Sequence, residues 1–171
     1  MRVYIPSTVT QLRTASDRGS VPATVGFGVT ASLRSEYPAA EEDELEYLAM
    51  TDAARASLRL LAGEDGAGGA DGGHPAAGVR VVIAADVDAV TEYPQGDRAA
   101  VRVDAEITWR QVAAVHLDGA DAADAVRAAV AVVDEADLDD PDAEFVVGEA
   151  ESYELAWYAP DEIRFLLEEL G

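Results

Sequence analysis

The chain contains no cysteine, no lysine and no asparagine. Without cysteine there are no disulfides, thiolate metal sites or cysteine nucleophiles. Without lysine there is no Schiff-base chemistry and no phosphate-binding loop ending in Gly-Lys-Ser/Thr. Aromatic residues are few: three Phe, two Trp and six Tyr in 171 residues. The core must therefore be compact and largely aliphatic. Long apolar runs are missing as well. Nothing approaches the ~18 consecutive apolar residues of a membrane-spanning helix. The opening Met-Arg-Val-Tyr-Ile-Pro turns polar too soon for a signal peptide. These absences point to a soluble, cytoplasmic protein.

Positive charge is also scarce and comes only from twelve arginines, against a net charge of −22. Residues 1–63 contribute −2, residues 64–78 contribute −3, and residues 79–171 contribute −17. Such a surface repels phosphate backbones and anionic headgroups, so neither a nucleic acid nor a membrane is expected as a partner. An acidic surface that imitates a nucleic acid is physically allowed, but solvated acidic surfaces are far commoner. Codon bias in a GC-rich genome explains the Ala, Arg, Gly, Asp and Val excess. Life in high salt, which screens self-repulsion, is the second explanation.

The stretch 63–78 holds seven of the fourteen glycines. Residues 64–78 read as a flexible loop, because glycine loses most entropy on ordering and nothing apolar here offsets it. His74 lies within this stretch, without neighbouring ligands. On either side the apolar spacing alternates between strand and helix periods. Strands are predicted at Val3–Ile5, Thr24–Val29, Val79–Val87, Ala99–Ile107, Val112–Leu117 and Leu155–Tyr158. Helices are predicted over Ser7–Asp17, Glu41–Leu61, Asp121–Glu135 and Pro160–Leu170, with a turn or two in Pro141–Glu151. In the second of these, Glu41–Glu44 suit the positive end of the helix dipole, and Tyr47, Met50, Ala54, Leu58 and Leu61 are expected to face a core. Val79–Val87 reads as a central strand buried on both faces. Residues 3–9 and 157–163 share one pattern, in which a strand meets a proline suited to a helix's first turn.

Three constellations could carry chemistry. His116-Leu117-Asp118 ends a predicted strand, where a histidine near a carboxylate could serve as general base or metal ligand. By alternation Val112, Ala114, His116 and Asp118 share one face. The competing reading is a rim histidine held by one hydrogen bond. Arg55 and Arg59 lie one helical turn apart and could grip an anionic substrate. Asp137, Asp139, Asp142 and Glu144 form the densest carboxylate cluster and could bind a divalent ion weakly. Against an EF-hand the cluster fails at three places: Pro141, Asp142 and Gly148 stand where an oxygen ligand, a glycine and a glutamate belong. The alternative is a helix connection in which Asp140 caps a helix beginning at Pro141. No Gly-x-Ser-x-Gly elbow, dinucleotide fingerprint or His-Glu-x-x-His pair is present. Tyr153, Trp157 and Tyr158 could line a binding surface or serve as packing units.

Four segments together carry a resemblance: residues 1–6, Leu45–Leu61, Val112–Asp118 and Glu154–Pro160. They resemble an uncharacterised family of acidic actinobacterial proteins, a domain of unknown function. The similarity covers the chain apart from the glycine stretch and brings no activity, cofactor or catalytic residue with it. It favours the GC-rich genome as the source of the composition.

The expectation is a single α/β domain over residues 1–171, with α+β as a possibility. It has a mixed sheet of about five or six strands with helices packed on it. The leading functional expectation is a non-enzymatic domain that binds a protein partner or self-associates, with no cofactor. The rival readings are a small hydrolase or transferase using His116 and Asp118, and a divalent-ion binder at Asp137–Glu144.

Overall fold

In a computed structural model of the chain, residues 1–68, 75–93 and 95–170 are described. His74 lies outside them. The elements run β1 (Arg2–Ser7), α1 (Val9–Arg18), β2 (Ser20–Val21), β3 (Val25–Phe27), α2 (Ala31–Glu36), α3 (Glu42–Gly68), β4 (Val81–Asp86), β5 (Val90–Glu92), β6 (Ala100–Val103), β7 (Ile107–Thr108), β8 (Val112–Leu117), α4 (Ala123–Asp137), α5 (Pro141–Glu151), β9 (Ala156–Tyr158) and α6 (Ile163–Glu169). A short 3-10 turn over Pro75–Gly78 leads into β4.

Seven strands form one sheet in the order β5-β6-β3-β1-β4-β8-β9, and β2 pairs with β7 in a second, two-stranded sheet. The α/β class is as expected, but the sheet is larger than five or six strands and every pairing in it is antiparallel rather than mixed. The extra strand is β5, three largely exposed residues whose sequence has no alternation to reveal it. The predicted strand at Ala99–Ile107 divides into β6, in the large sheet, and β7, in the small one.

Alternation along the central strands assigns the two faces. Val3, Ile5, Val81 and Ile83 point to the side covered by Leu12 of α1 and by Ile163 and Leu167 of α6. Tyr4, Val82 and Ala84 point to the other side, under Leu33 of α2 and Leu45, Ala49 and Ala53 of α3. As expected, β4 is an interior strand buried on both faces: it lies between β1 and β8, and Val81–Ala85 are all buried. Each buried valine, leucine or isoleucine contributes about 1.5–3 kcal/mol relative to exposure.

Helix α3 is the longest element and differs from its prediction in two ways. It extends to Gly68, five residues into the stretch that composition marks as a loop. Ala54, Leu58 and Leu61 face a core as expected, but Tyr47 and Met50 do not lead the stripe on the sheet. Leu45, Ala49 and Ala53 are buried there, whereas Tyr47 is 52 % exposed and Met50 only half-buried. Alanines let the helix approach the sheet closely, and a reading weighted to large side chains misses them. Ser57 ties α3 to β1 and β4: its hydroxyl donates to Ser7 O at 2.7 Å and accepts from Val81 N–H at 3.1 Å. Past Ser57, Leu58 and Leu61 leave the sheet and pack against the α4–α5 hairpin through Val126, Val133 and Val147.

The two proline junctions are not equivalent. Pro160 opens a 3-10 turn before α6, as its pattern suggests. Pro6 instead lies within β1, opposite Val82, and Thr8 caps α1 by accepting from Gln11 N–H at 3.2 Å. β3 pairs with β1 at Tyr4, so the open side beyond it has no use for the N–H that proline lacks. Among the described residues no helix is long and apolar enough to cross a membrane.

Candidate functional site

The buried charge of the molecule sits at the start of β4. Arg80 precedes a strand whose first five residues are apolar, and Asp118 follows β8, the strand beside it. The register Val81↔Leu117 brings the two together. Arg80 Nε donates to Asp118 Oδ2 and Nη2 to Oδ1, both at 2.8 Å, and the Arg80 backbone N–H donates to Oδ2 at 2.8 Å. Nη2 also donates to the Tyr153 carbonyl at 2.8 Å, which ties the turn after α5 to the sheet. The two side chains are only 3 % and 0 % exposed. An unpaired charge there would be expensive, so each stays because the other does. Sequence reasoning singled out Asp118 but missed Arg80. The signal was available, since a lone arginine between Val79 and Val81 must have a partner once the strand is buried.

His116 does not join this pair. Both Asp118 oxygens serve Arg80, and among the described residues no hydrogen bond connects His116 to Asp118. His116 is half-buried, cross-strand from Val82 on one side and Trp157 on the other. Burial, with the nearby charge of Arg2, holds its imidazole below the ordinary histidine range and therefore neutral at pH 7. Val112 does not share its face, contrary to simple alternation. The pairing jumps from Ala84↔Ala114 to Ala85↔Val112, leaving Ala113 unpaired in a β-bulge. Val112 is thereby turned to the α1 side with Val115 and Leu117.

Arg55 and Arg59 face the α4–α5 hairpin. Arg55 Nη2 donates to Glu144 Oε1 at 2.7 Å and to Asp137 Oδ1 at 3.2 Å. Arg59 Nε donates to Asp137 Oδ2 at 2.7 Å. Arg98, from the segment before β6, donates to Asp52, Glu36 and the Tyr37 hydroxyl, and its guanidinium lies 5.1 Å from the Tyr37 ring centre. The three arginines, with Asp52, Asp137 and Glu144, surround an open cleft of about 350 Å³ that Asp97 and Asp139 also line. The hydrogen bond from Arg59, supported by Arg55, holds the Asp137 carboxyl below its usual range, and Arg55 does the same for Glu144. Glu151 differs. Burial raises its carboxyl above the usual range, and Arg55 Nη1, at 3.7 Å, only partly opposes this.

Of the predicted acidic cluster, Asp137 and Glu144 are thus turned to arginines. Asp140 caps α5, accepting from Ala143 N–H at 3.0 Å with Pro141 in the first turn. Asp139 occupies the left-handed region with φ 64° and lines the cleft, while Asp142 is exposed on α5. Among the described residues no three His, Asp or Glu side chains are grouped so as to hold a metal ion.

The remaining unusual surface is the far edge of the sheet. β9 is outermost, and its register His116↔Trp157 places Trp157 on the α3 face. Trp157 is 61 % exposed, although the chain has only two tryptophans. Tyr158, on the alternate face, packs against the core on the α1 side. Residues 149–163 carry five carboxylates and no arginine, so this edge is strongly negative.

Comparison with known proteins gives a family and no more: no curated protein and no solved structure matches the chain. The model of a family of unknown function, DUF6912, matches residues 1–167. The same segments that carry the resemblance in sequence fall inside that span, and they form β1, α3, β8 and β9 of the fold. The chain belongs to the DUF6912 family of unknown function.

Proposed function

We propose that this chain is a binding domain that takes an extended, basic segment of another protein along β9. Trp157 carries the reading. Burying it would gain more than burying any other exposed side chain on that edge, because aromatic rings dominate interface energetics. β9 is paired on one side only, so an incoming strand can continue the main-chain ladder, the mode used in strand addition. Trp157 would lie beside the side chain opposite it on the arriving segment, with His116 behind it in the same cross-strand row.

Charge selects the partner. The five carboxylates of residues 149–163 attract lysine and arginine. They also disfavour a second copy of the same edge, since two chains of net charge −22 repel. Catalysis by His116 with Asp118 has less support, because the carboxylate that should orient the imidazole is bound to Arg80.

The test is fluorescence polarisation with a panel of labelled nine-residue peptides, basic at alternate positions and β-branched between them. The expected outcome is binding that weakens with added salt and falls at least tenfold, about 1.4 kcal/mol, in Trp157→Ala. Placing proline at the centre of the peptide should also abolish it. Equal binding by Trp157→Ala, or no binding across the panel, overturns the proposal. A dimer in sedimentation that Trp157→Ala dissociates would give the surface to self-association instead.

A further inference from the structure

A second, smaller site lies beside that edge and does not depend on it. The turn from α5 into β9 passes over α3 and leaves a pocket of about 100 Å³, with Arg80 and Glu151 in its walls and Met50 and Leu155 as apolar surface. Arg80 is 2 % exposed, yet one of its nitrogens is unused. Nε and Nη2 serve Asp118 and Tyr153, whereas Nη1 donates no hydrogen bond. Among the described side chains the one nitrogen or oxygen atom that is both buried and unpartnered is Arg127 Nε, so Arg80 Nη1 keeps some exposure, and Arg80 lines this pocket. Glu151 supplies the opposite chemistry: its carboxylate accepts no hydrogen bond from a described residue, its nearest cation being Arg55 at 3.7 Å. It makes no hydrogen bond or ion pair with Arg80, so a donor and an acceptor line one small space without pairing to each other.

We infer that this pocket binds a carboxamide, with the amide oxygen accepting from Arg80 Nη1 and the amide N–H donating to Glu151. Charge argues against an anion. The Arg80 charge is already balanced by Asp118, and Glu151 and Glu154 both line the pocket. A group offering an acceptor without negative charge, together with a donor, satisfies both walls, and a planar amide does so with one functional group. Size argues the same way. Drug-sized pockets start at about 300 Å³, and a water takes about 30 Å³ of liquid, so about three waters, or the end of one side chain, fit here. Met50 and Leu155 would cover the aliphatic carbons beside the amide. The amide has two possible sources: a free small molecule, or a glutamine or asparagine of a segment docked on β9.

The experiment is an NMR titration of the ¹⁵N-labelled full chain with N-acetyl-glutamine methylamide, which is neutral, and with the matching glutamate derivative as the anionic control. Saturable shifts are expected at Thr51, Ala54, Arg80 and Leu155, with the glutamate derivative at least tenfold weaker at pH 7. Glu151 keeps about a third of its side chain exposed (33 %), so Glu151→Gln should not disturb folding. It removes the negative charge, so the preference for amide over acid should shrink at least threefold. No saturable shift, equal affinity for the two derivatives, or a preference unchanged in Glu151→Gln overturns the inference. A glutamine-containing extended peptide separates the two sources. Tighter binding than the blocked residue, with that gain lost in Trp157→Ala, assigns the amide to a docked chain. Equal affinity assigns it to a free molecule and leaves the pocket standing even if β9 docks nothing.

Discussion

The molecule holds arginine against carboxylate in two contrasting settings. Arg80 and Asp118 are almost fully buried at the adjoining ends of neighbouring strands and make four hydrogen bonds to each other, counting that from the Asp118 N–H to the Arg80 carbonyl. Arg55 and Arg59, whose side chains are 22 % and 36 % exposed, share Asp137 between them across the α3–α4 contact. In the first setting neither ion has water to fall back on, so losing one partner leaves a stranded charge. In the second, solvent and salt compete, and several carboxylates can substitute for one another. The buried pair therefore determines where the turn after α5 must lie, while the cluster only biases how the α4–α5 hairpin sits.

The largest test of that contrast is Arg80→Met. It strands Asp118 and should cost about 3–5 kcal/mol. At about 2–4 °C per kcal/mol for a chain of this size, thermal unfolding followed by circular dichroism should show a midpoint lower by about 6–20 °C. Arg80→Met with Asp118→Leu should recover most of this, because an apolar pair of similar volume removes both charges at once. A single-variant loss under about 1 kcal/mol would remove the distinction between the two settings.

An intermediate effect is expected from Arg55→Gln combined with Arg59→Gln, about 1–2 kcal/mol for the ion pairs that the two substitutions remove. Raising salt from 0.1 to 1 M shortens the screening length from about 10 to about 3 Å. It should therefore shrink the difference between wild type and this variant and leave the Arg80→Met difference almost unchanged. Urea unfolding at the two salt concentrations reads both.

The smallest effect is the pH dependence around Glu151. Asp137 and Glu144 have folded-state values below the usual range, so their contribution is full above the ordinary carboxylate range and lost as pH falls through their lowered values. Glu151 runs the other way. Its value is raised, so ionising it costs stability at neutral pH, and the cost disappears as pH falls through the raised value. Glu151→Gln should therefore be slightly more stable than wild type at pH 7, by less than about 1 kcal/mol. The advantage should vanish toward pH 4 in urea titrations at pH 7, 5 and 4. His116, held neutral by burial, subtracts stability from both proteins in the same interval. The difference between the two curves is thus the quantity to compare. An advantage that grows on acidification would mean that Arg55 outweighs burial at Glu151.

The local rules were legible in the chain. Caps and periodicity located β1, α1, α3, β4, β8, α4, α5, β9 and α6 to within a few residues, apart from the far end of α3. Asp140 does cap α5 at Pro141, as the sequence suggests. Long-range facts were not legible. The bulge at Ala113 moved Val112 off the His116 face, and alternation has no means of registering one extra residue. Asp52 and Arg55 stand three residues apart on α3, yet Asp52 pairs with Arg98 and Arg55 with the α4–α5 hairpin, partners that no spacing within the helix records.

By itself, then, the sequence determined the chemistry this protein lacks, its acidic far half and most of its helices and strands. Each of these depends on residues within a few positions of one another or on composition alone. Only the tertiary structure decided the antiparallel order of the seven strands, the partner of Asp118, and the exposure of Trp157 and Tyr47. Those depend on which strand becomes an edge and which charge meets which across about forty residues or more of chain. Burial settles such choices through the cost of leaving a polar group without a partner, and no local pattern records that cost.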